Sequence, residues 1–223
     1  MKITILTLFP QMFSGIEHSI IKRARENGKV EISLVDFREY TKDKHKKVDD
    51  IPYGGGNGMV IMAEPIVECI EAIDPKHQAH RIFLTPAAPT LTQKRVTQLS
   101  QKKNLLILCG HYEGVDQRAI DLCFDETISI GEYVLTGGEI AAMVLVDAVA
   151  RYVDGVITKG SLDNESHTNG MLEHPQYTRP REYRGMQVPE VLLNGNHKEI
   201  EKWKTEQSEK ITNFVKLIEK EKS

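Results

Sequence analysis

The run Asn104-Leu105-Leu106-Ile107-Leu108-Cys109 does most to limit how this chain folds. Its five successive apolar residues leave no polar face, so both sides of the segment must be covered. A short strand buried on both faces belongs to a parallel sheet with helices above and below it. Arg81 to Thr85 and the stretch around Thr127 to Ile130 read as further strands of that kind. Ile3, Ile5, Leu6 and Leu8 form a first strand ending at Phe9-Pro10, and Val30, Ile32 and Leu34 alternate with polar residues in a second.

Between the strands the period lengthens to that of a helix. Ile16, Ile20, Ile21 and Ala24 predict one helix stopped near Asn27-Gly28. Pro65 suits the first turn of another helix, which carries Val67, Ile70 and Ile73. Thr92 is placed to cap a helix bearing Val96 and Leu99, and Ala119, Ile120 and Leu122 mark a short one. Glu139 to Val153 reads as a well-buried helix. Strands alternating with helices predict a mainly parallel α/β domain, with its chemistry in the loops beyond the strand ends. From Gly155 to Gly170 the pattern gives way to Gly, Ser, Asp, Asn, Glu and Thr, which predicts an extended, mobile linker. Residues 1–160, 161–172 and 173–223 are therefore expected to be a catalytic domain, a linker and a small helical C-terminal domain built on His197 to Lys220.

A chain of 223 residues buries one substantial core and carries a small appendage. Its apolar runs fall well short of the roughly 18 to 20 residues that span a bilayer, and its start, MKITILTLFPQMF, lacks a leader cleavage site, so a cytoplasmic protein is expected without membrane association. Cys69, Cys109 and Cys123 are far apart and read as reduced structural thiols. The net charge of −3 argues weakly against a nucleic-acid binder, but Arg38 to Lys47 holds five Lys or Arg residues and Arg179, Arg181 and Arg184 form a second basic run. Such patches bind phosphate, or they are solvated surface.

Pro52 to Met59 is the densest glycine segment. It fits neither the dinucleotide fingerprint nor the P-loop, so its glycines either approach an anion or turn the chain sharply. A second glycine-bearing loop, Gly131 to Glu139, joins a buried strand to a buried helix, where a cofactor could lie against exposed backbone. His111-Tyr112-Glu113-Gly114-Val115-Asp116 follows the most apolar strand, the place where α/β sites form. The histidines do not form HExxH, the cysteines lack paired CxxC spacing, and GxSxG is absent, which leaves no metal ligands to assign and disfavours a serine hydrolase.

These loops resemble the bacterial tRNA (guanine-N1)-methyltransferase family of the SPOUT class. The similarity runs through Leu6 to Phe13, Val48 to Met59, Leu108 to Asp116, Ser129 to Glu139, His174 to Pro180 and Val188 to His197. The resemblance implies a deep trefoil knot, an antiparallel homodimer with shared sites, and methyl transfer from S-adenosylmethionine to N1 of guanosine 37 in tRNAs with guanosine 36. It implies cofactor contacts at Leu84, Thr85, Pro86, Gly110, Ile130, Gly131, Glu132, Tyr133, Val134 and Leu135, with Gly137 and Gly138 shaping the pocket.

Loss of the N1 proton calls for a base and for stabilisation of the charge left on the guanine. The family's catalytic aspartate maps to Glu165 and its arginine to Arg151, with Glu173 and then Asp163 as the next candidate bases. Tyr112 and Glu113 are expected to position the guanine. Lys42, Lys44, Lys46, Lys47, Arg179, Arg181 and Arg184 are expected to contact tRNA. Magnesium accompanies activity in the family, with no ligands assignable here. The chain departs from the family pattern at Glu165 and Glu132, each in place of aspartate, and at Ala88, Gln117 and Ala141. It also lacks an arginine-rich finish after Trp203, leaving Lys204, Lys210 and Lys216 there. A catalytically impaired tRNA-binding homologue, and a SPOUT enzyme acting on another RNA position, are the alternatives.

Overall fold

The computed structural model describes residues 1–158, 160–162 and 165–222. The chain divides into two compact units, Met1–Thr158 and Lys159–Ser223. The first unit runs β1 (Lys2–Thr7), a 3-10 segment (Pro10–Glu17), α1 (Ser19–Glu26), β2 (Glu31–Asp36), a 3-10 turn (Phe37–Tyr40), β3 (Asp49–Asp50), β4 (Val60–Ile61), α2 (Ala63–Ile73), β5 (His80–Leu84), α3 (Gln93–Ser100), β6 (Asn104–Cys109), α4 (Gln117–Cys123), β7 (Glu126–Ile128) and α5 (Gly138–Ala150).

Five strands pair in parallel in the order β2-β1-β6-β5-β7, with Ile5 opposite Ile107 and Phe83 opposite Leu108. The all-apolar β6 is therefore central. Its alternate residues feed two cores. Leu105, Ile107 and Cys109 join Ile3, Ile5, Leu145 and Val149 on one face, while Leu106 and Leu108 join Leu6, Ile66, Ile70 and Ala119 on the other. The alternation in β2 fits its place at the sheet edge, and Thr92 caps α3 by accepting from the Arg95 N–H at 3.3 Å. All three cysteines are buried free thiols; burial pushes Cys69 up to about 12.

One predicted helix is two segments. The chain is extended at His18, and Ser19 takes a φ of 55°, which separates the 3-10 segment from α1. Residues three apart eclipse in a 3-10 turn, so Phe13 and Ile16 enter the core together, and α1 then contributes Ile21 and Ala24 separately.

In the second unit, the described part of the predicted linker forms turns, where extended chain was expected. The Glu165 carbonyl accepts from the Thr168 N–H at 3.2 Å, and Ser166 Oγ accepts from the Glu173 N–H at 3.0 Å. The polar side chains that argued against packing bond the local backbone instead. Then follow the hairpin β8 (Glu182–Tyr183) and β9 (Met186–Gln187), a 3-10 turn (Glu190–Leu192) and α6 (His197–Lys222). The Leu172 N–H donates to buried Thr212 on α6 at 2.8 Å, and His174 and Tyr177 pack their rings near Trp203. Among the described residues no helix is long and apolar enough to cross a membrane.

An ion pair closes the lower end of the sheet. Arg81 Nε donates to Asp74 Oδ2 at 2.9 Å, its Nη2 donates to the Asp74 carbonyl at 2.7 Å, and Asp74 Oδ1 accepts from the Gln78 N–H at 2.7 Å. Both side chains are about nine-tenths buried. Removing one partner leaves a buried charge without its counter-charge, so Asp74→Ala should destabilise the first unit by about 3–5 kcal/mol. Urea unfolding followed by circular dichroism checks this.

Candidate methyl-donor site

The chain after β7 passes between two loops. Ser129 donates its N–H to the Pro89 carbonyl at 3.0 Å and accepts from the Leu91 N–H at 2.8 Å. Gly138 donates to the Gly110 carbonyl at 2.8 Å. Residues 129–138 are thereby held against the loop after β5 on one side and the loop after β6 on the other.

A cavity of about 350 Å³ opens between these three loops, at the C-terminal ends of β5, β6 and β7. Its wall includes Leu84, Thr85 and Pro86; Gly110, Tyr112 and Glu113; and Ile130, Tyr133, Val134, Leu135, Gly137 and Gly138. Gly131 and Glu132 belong to the expected contact set but do not line it. Gly131 acts one step removed, since a Cβ there would fall 2.3 Å from the ring of Tyr133, which does line the wall.

Two glycines are required by contact rather than by conformation. A Cβ on Gly138 would lie 2.7 Å from the Cys109 Cα and 2.8 Å from the Gly110 nitrogen, both backbone atoms. One on Gly137 would lie 2.3 Å from the His111 ring. The segment before β4 uses its glycines differently: Gly54, Gly55, Gly56 and Gly58 all have positive φ and turn the chain. That turn brings Met59 to accept from the Glu113 N–H at 3.0 Å, with Glu113 so close that a Cβ on Gly58 would strike it. The glycine-rich loop thus braces the Glu113 loop.

Behind the wall is a carboxylate that sequence reasoning missed. Glu139 is fully buried, accepts from Thr7 Oγ1 at 2.6 Å on one oxygen, and has His111 Nε2 2.6 Å from the other. Its position at the start of α5 favours negative charge. Each of the three residues falls inside a motif singled out above, and the hint was Thr7, a polar residue closing an apolar strand. Nearby, burial raises the Tyr112 phenol, the Asp49 carboxylate adds to that, and Arg38 opposes it.

The remaining expected residues lie elsewhere. Arg151 caps the C-terminus of α5 in the first unit, and Glu165 is half-buried among the turns of the second. Glu173 is exposed, and Asp163 lies outside the described residues. Lys42 pairs with Glu68 and Glu64, Lys46 with Glu39 and Lys47 with Asp50, while Lys44 is exposed. Arg179 and Arg181 line a separate hollow in the second unit with Tyr177 and Leu192, and Arg184 lies over the Tyr183 ring. Among the departures, Gln117 donates to Asp121 at 2.7 Å within α4, and Ala141 is buried in the core. Among the described residues no group of three or more His, Cys, Asp or Glu side chains is arranged to hold a metal ion.

Residues 1–219 match the family described as tRNA (guanine-1)-methyltransferase TrmD. The chain belongs to that family. The tRNA (guanine-N(1)-)-methyltransferase of Ruminiclostridium cellulolyticum is 53% identical, over 93% of this chain and 91% of its own. That of Carboxydothermus hydrogenoformans is 53% identical over 93% and 83%, and that of Clostridium botulinum 51% over 97% and 90%. Membership gives the chain the trefoil-knotted SPOUT fold and makes it an S-adenosylmethionine-dependent methyltransferase. The cavity fits such a donor: its volume lies in the range of about 300–1,000 Å³ usual for small-molecule sites, and bare glycine backbone forms one side.

The glycine contacts separate rigid from yielding walls. Gly138→Ala pushes a methyl against backbone, an overpacking of about 1–3 kcal/mol, and should weaken S-adenosylhomocysteine binding by on the order of 10- to 100-fold. Gly131→Ala meets only a side chain that can swing aside, and should cost under about 10-fold. Calorimetric titration of both variants distinguishes them.

Proposed function

We propose that this chain methylates N1 of guanosine 37 in tRNAs that carry guanosine 36, using the cavity above for S-adenosylmethionine. The observation that carries the reading is the cavity itself: all of the expected donor contacts except Gly131 and Glu132 converge on it, from three loops far apart in sequence. Tyr112 and Glu113 share its wall, which supports a guanine presented beside the donor.

Bound S-adenosylmethionine supplies an electrophilic methyl group on its sulfonium. The chain must take the N1 proton and stabilise the negative charge that appears on the guanine. We assign the first role to Glu165 and the second to Arg151. Glu165 is one methylene longer than the family's aspartate, a change that matters because a misplacement near 1 Å costs about 100-fold in rate.

The basic residues support backbone contact with tRNA. Lys42, Lys46 and Lys47 hold surface carboxylates, and exposed pairs of that kind are weak enough for a phosphate to displace them. A homodimer is supported by Ile140 and Val144, one turn apart on α5 and each 44% exposed although the rest of that helix is largely buried. Magnesium, if used, would act on the tRNA or the reaction complex.

Mass spectrometry of an unmodified tRNA bearing guanosines 36 and 37 tests the reading. Incubation with protein and S-adenosylmethionine should yield 1-methylguanosine at position 37; a methyl elsewhere, or none despite binding of both ligands, would point to one of the alternatives. Glu165→Gln should lower the single-turnover rate by at least about 100-fold while leaving donor affinity within about 2-fold. A wild-type rate would exclude Glu165 as the base.

A further inference from the structure

Among the described residues, the buried Glu139 carboxylate has Thr7 and His111 as its side-chain partners and no Lys or Arg paired with it. Thr7 is neutral, and the second partner, His111, is an imidazole that carries charge only when protonated. With a neutral imidazole the pair carries one negative charge, and with an imidazolium it carries none. His111 is itself part of the cavity wall, so that charge faces whatever the cavity holds. Other charged or titratable groups nearby are few. Arg38 lies over the Phe9 ring that packs on His111, with Asp36 bonded to its guanidinium. Tyr112 stands edge-on to His111, Glu113 follows it, and Cys109 lies at the end of β6, its thiol pushed up by burial and further by Glu139. Arg38 and Asp36 offset one another, and Glu113 adds a carboxylate to the wall itself, in front of the His111–Glu139 pair behind it.

The methyl donor and its product differ by one unit of charge. S-adenosylmethionine has a cationic sulfonium, and S-adenosylhomocysteine has a neutral thioether in its place. We infer that the His111–Glu139 pair selects the donor over the spent product by charge, and that protonation of His111 removes the selection. This rests on the reading of the cavity as the donor site. The sign is fixed by the charges: preference for the sulfonium is greatest where the imidazole is neutral and the pair is anionic, and falls as acid protonates His111. The pair is then a specificity determinant that promotes product exchange, distinct from the groups that move the proton on guanine.

Calorimetric titration of the full chain with each ligand, from pH 5.5 to 9, tests this by the ratio of the two affinities. In the wild type the donor-to-product ratio should rise on the order of 10-fold across the range, the scale of one unit-charge interaction over roughly 12 Å at an effective dielectric near 20. Glu139→Gln, which keeps an acceptor for Thr7, should lower the ratio on the order of 10-fold at pH 9. His111→Gln keeps a donor for Glu139 but cannot titrate, and its ratio should stay high and flat. A wild-type ratio that does not change with pH overturns the inference, as does a His111→Gln ratio that still changes with it. Should Glu139→Gln fail to fold, the His111→Gln profile alone decides. Should Gly138→Ala bind both ligands at full affinity, the reading of the cavity fails. If that variant loses both ligands while the ratio ignores His111 and Glu139, only the charge selection fails.

Discussion

The approach of Gly138 to the end of β6 is the contact on which the site depends. Its N–H reaches the Gly110 carbonyl at 2.8 Å, with no room for a Cβ between α5 and the Cys109–Gly110 backbone. Because α5 must start there, the next residue, Glu139, is driven beneath the surface and needs buried partners, which Thr7 and His111 provide. The rest of α5 then runs across the sheet with Ala142, Leu145, Val146 and Val149 in the core, so the helix that closes the donor cavity is anchored by some of the most buried residues in the chain. A wall fixed in this way holds its donor groups in place before binding, which reduces the ordering cost that a looser pocket would incur.

Charge is arranged locally. A net charge of −3 would repel a polyanion if it were spread evenly, but Glu39, Asp50 and Glu68 near the first basic loop are committed to lysines, and the second basic run lies in a separate unit. Attraction to phosphate decays within about 10 Å at ordinary salt, so the local patch matters more than the total. The donor cavity follows other rules, being lined largely by apolar side chains and glycine backbone, where one buried carboxylate counts for more than several on the surface.

Much of the sheet was legible because strands buried on both faces leave an unmistakable run of apolar residues, as in Leu105 to Cys109. The Thr92 cap and the Pro65 start were legible for the same local reasons. The break at His18 was not, since both sides of it carry apolar residues at spacings that a single helix would also satisfy. Threading was invisible to periodicity and was reached only through resemblance, because a knot changes how segments pass each other and leaves their local pattern intact. Glu139 reads locally as an ordinary acidic residue in the first turn of a helix. Its burial depends on Thr7, 132 residues away, and no short window contains both.

Hydrogen exchange read by mass spectrometry, with and without saturating S-adenosylhomocysteine, tests the placement of the donor most directly. Ligand should slow exchange in peptides covering residues 84–87, 110–114 and 130–138 together, because these are the three loops that wall one cavity. Protection concentrated instead around Lys102, Lys103 and Gly28, where a second hollow opens at the other end of the sheet, with those three loops unchanged, would contradict it.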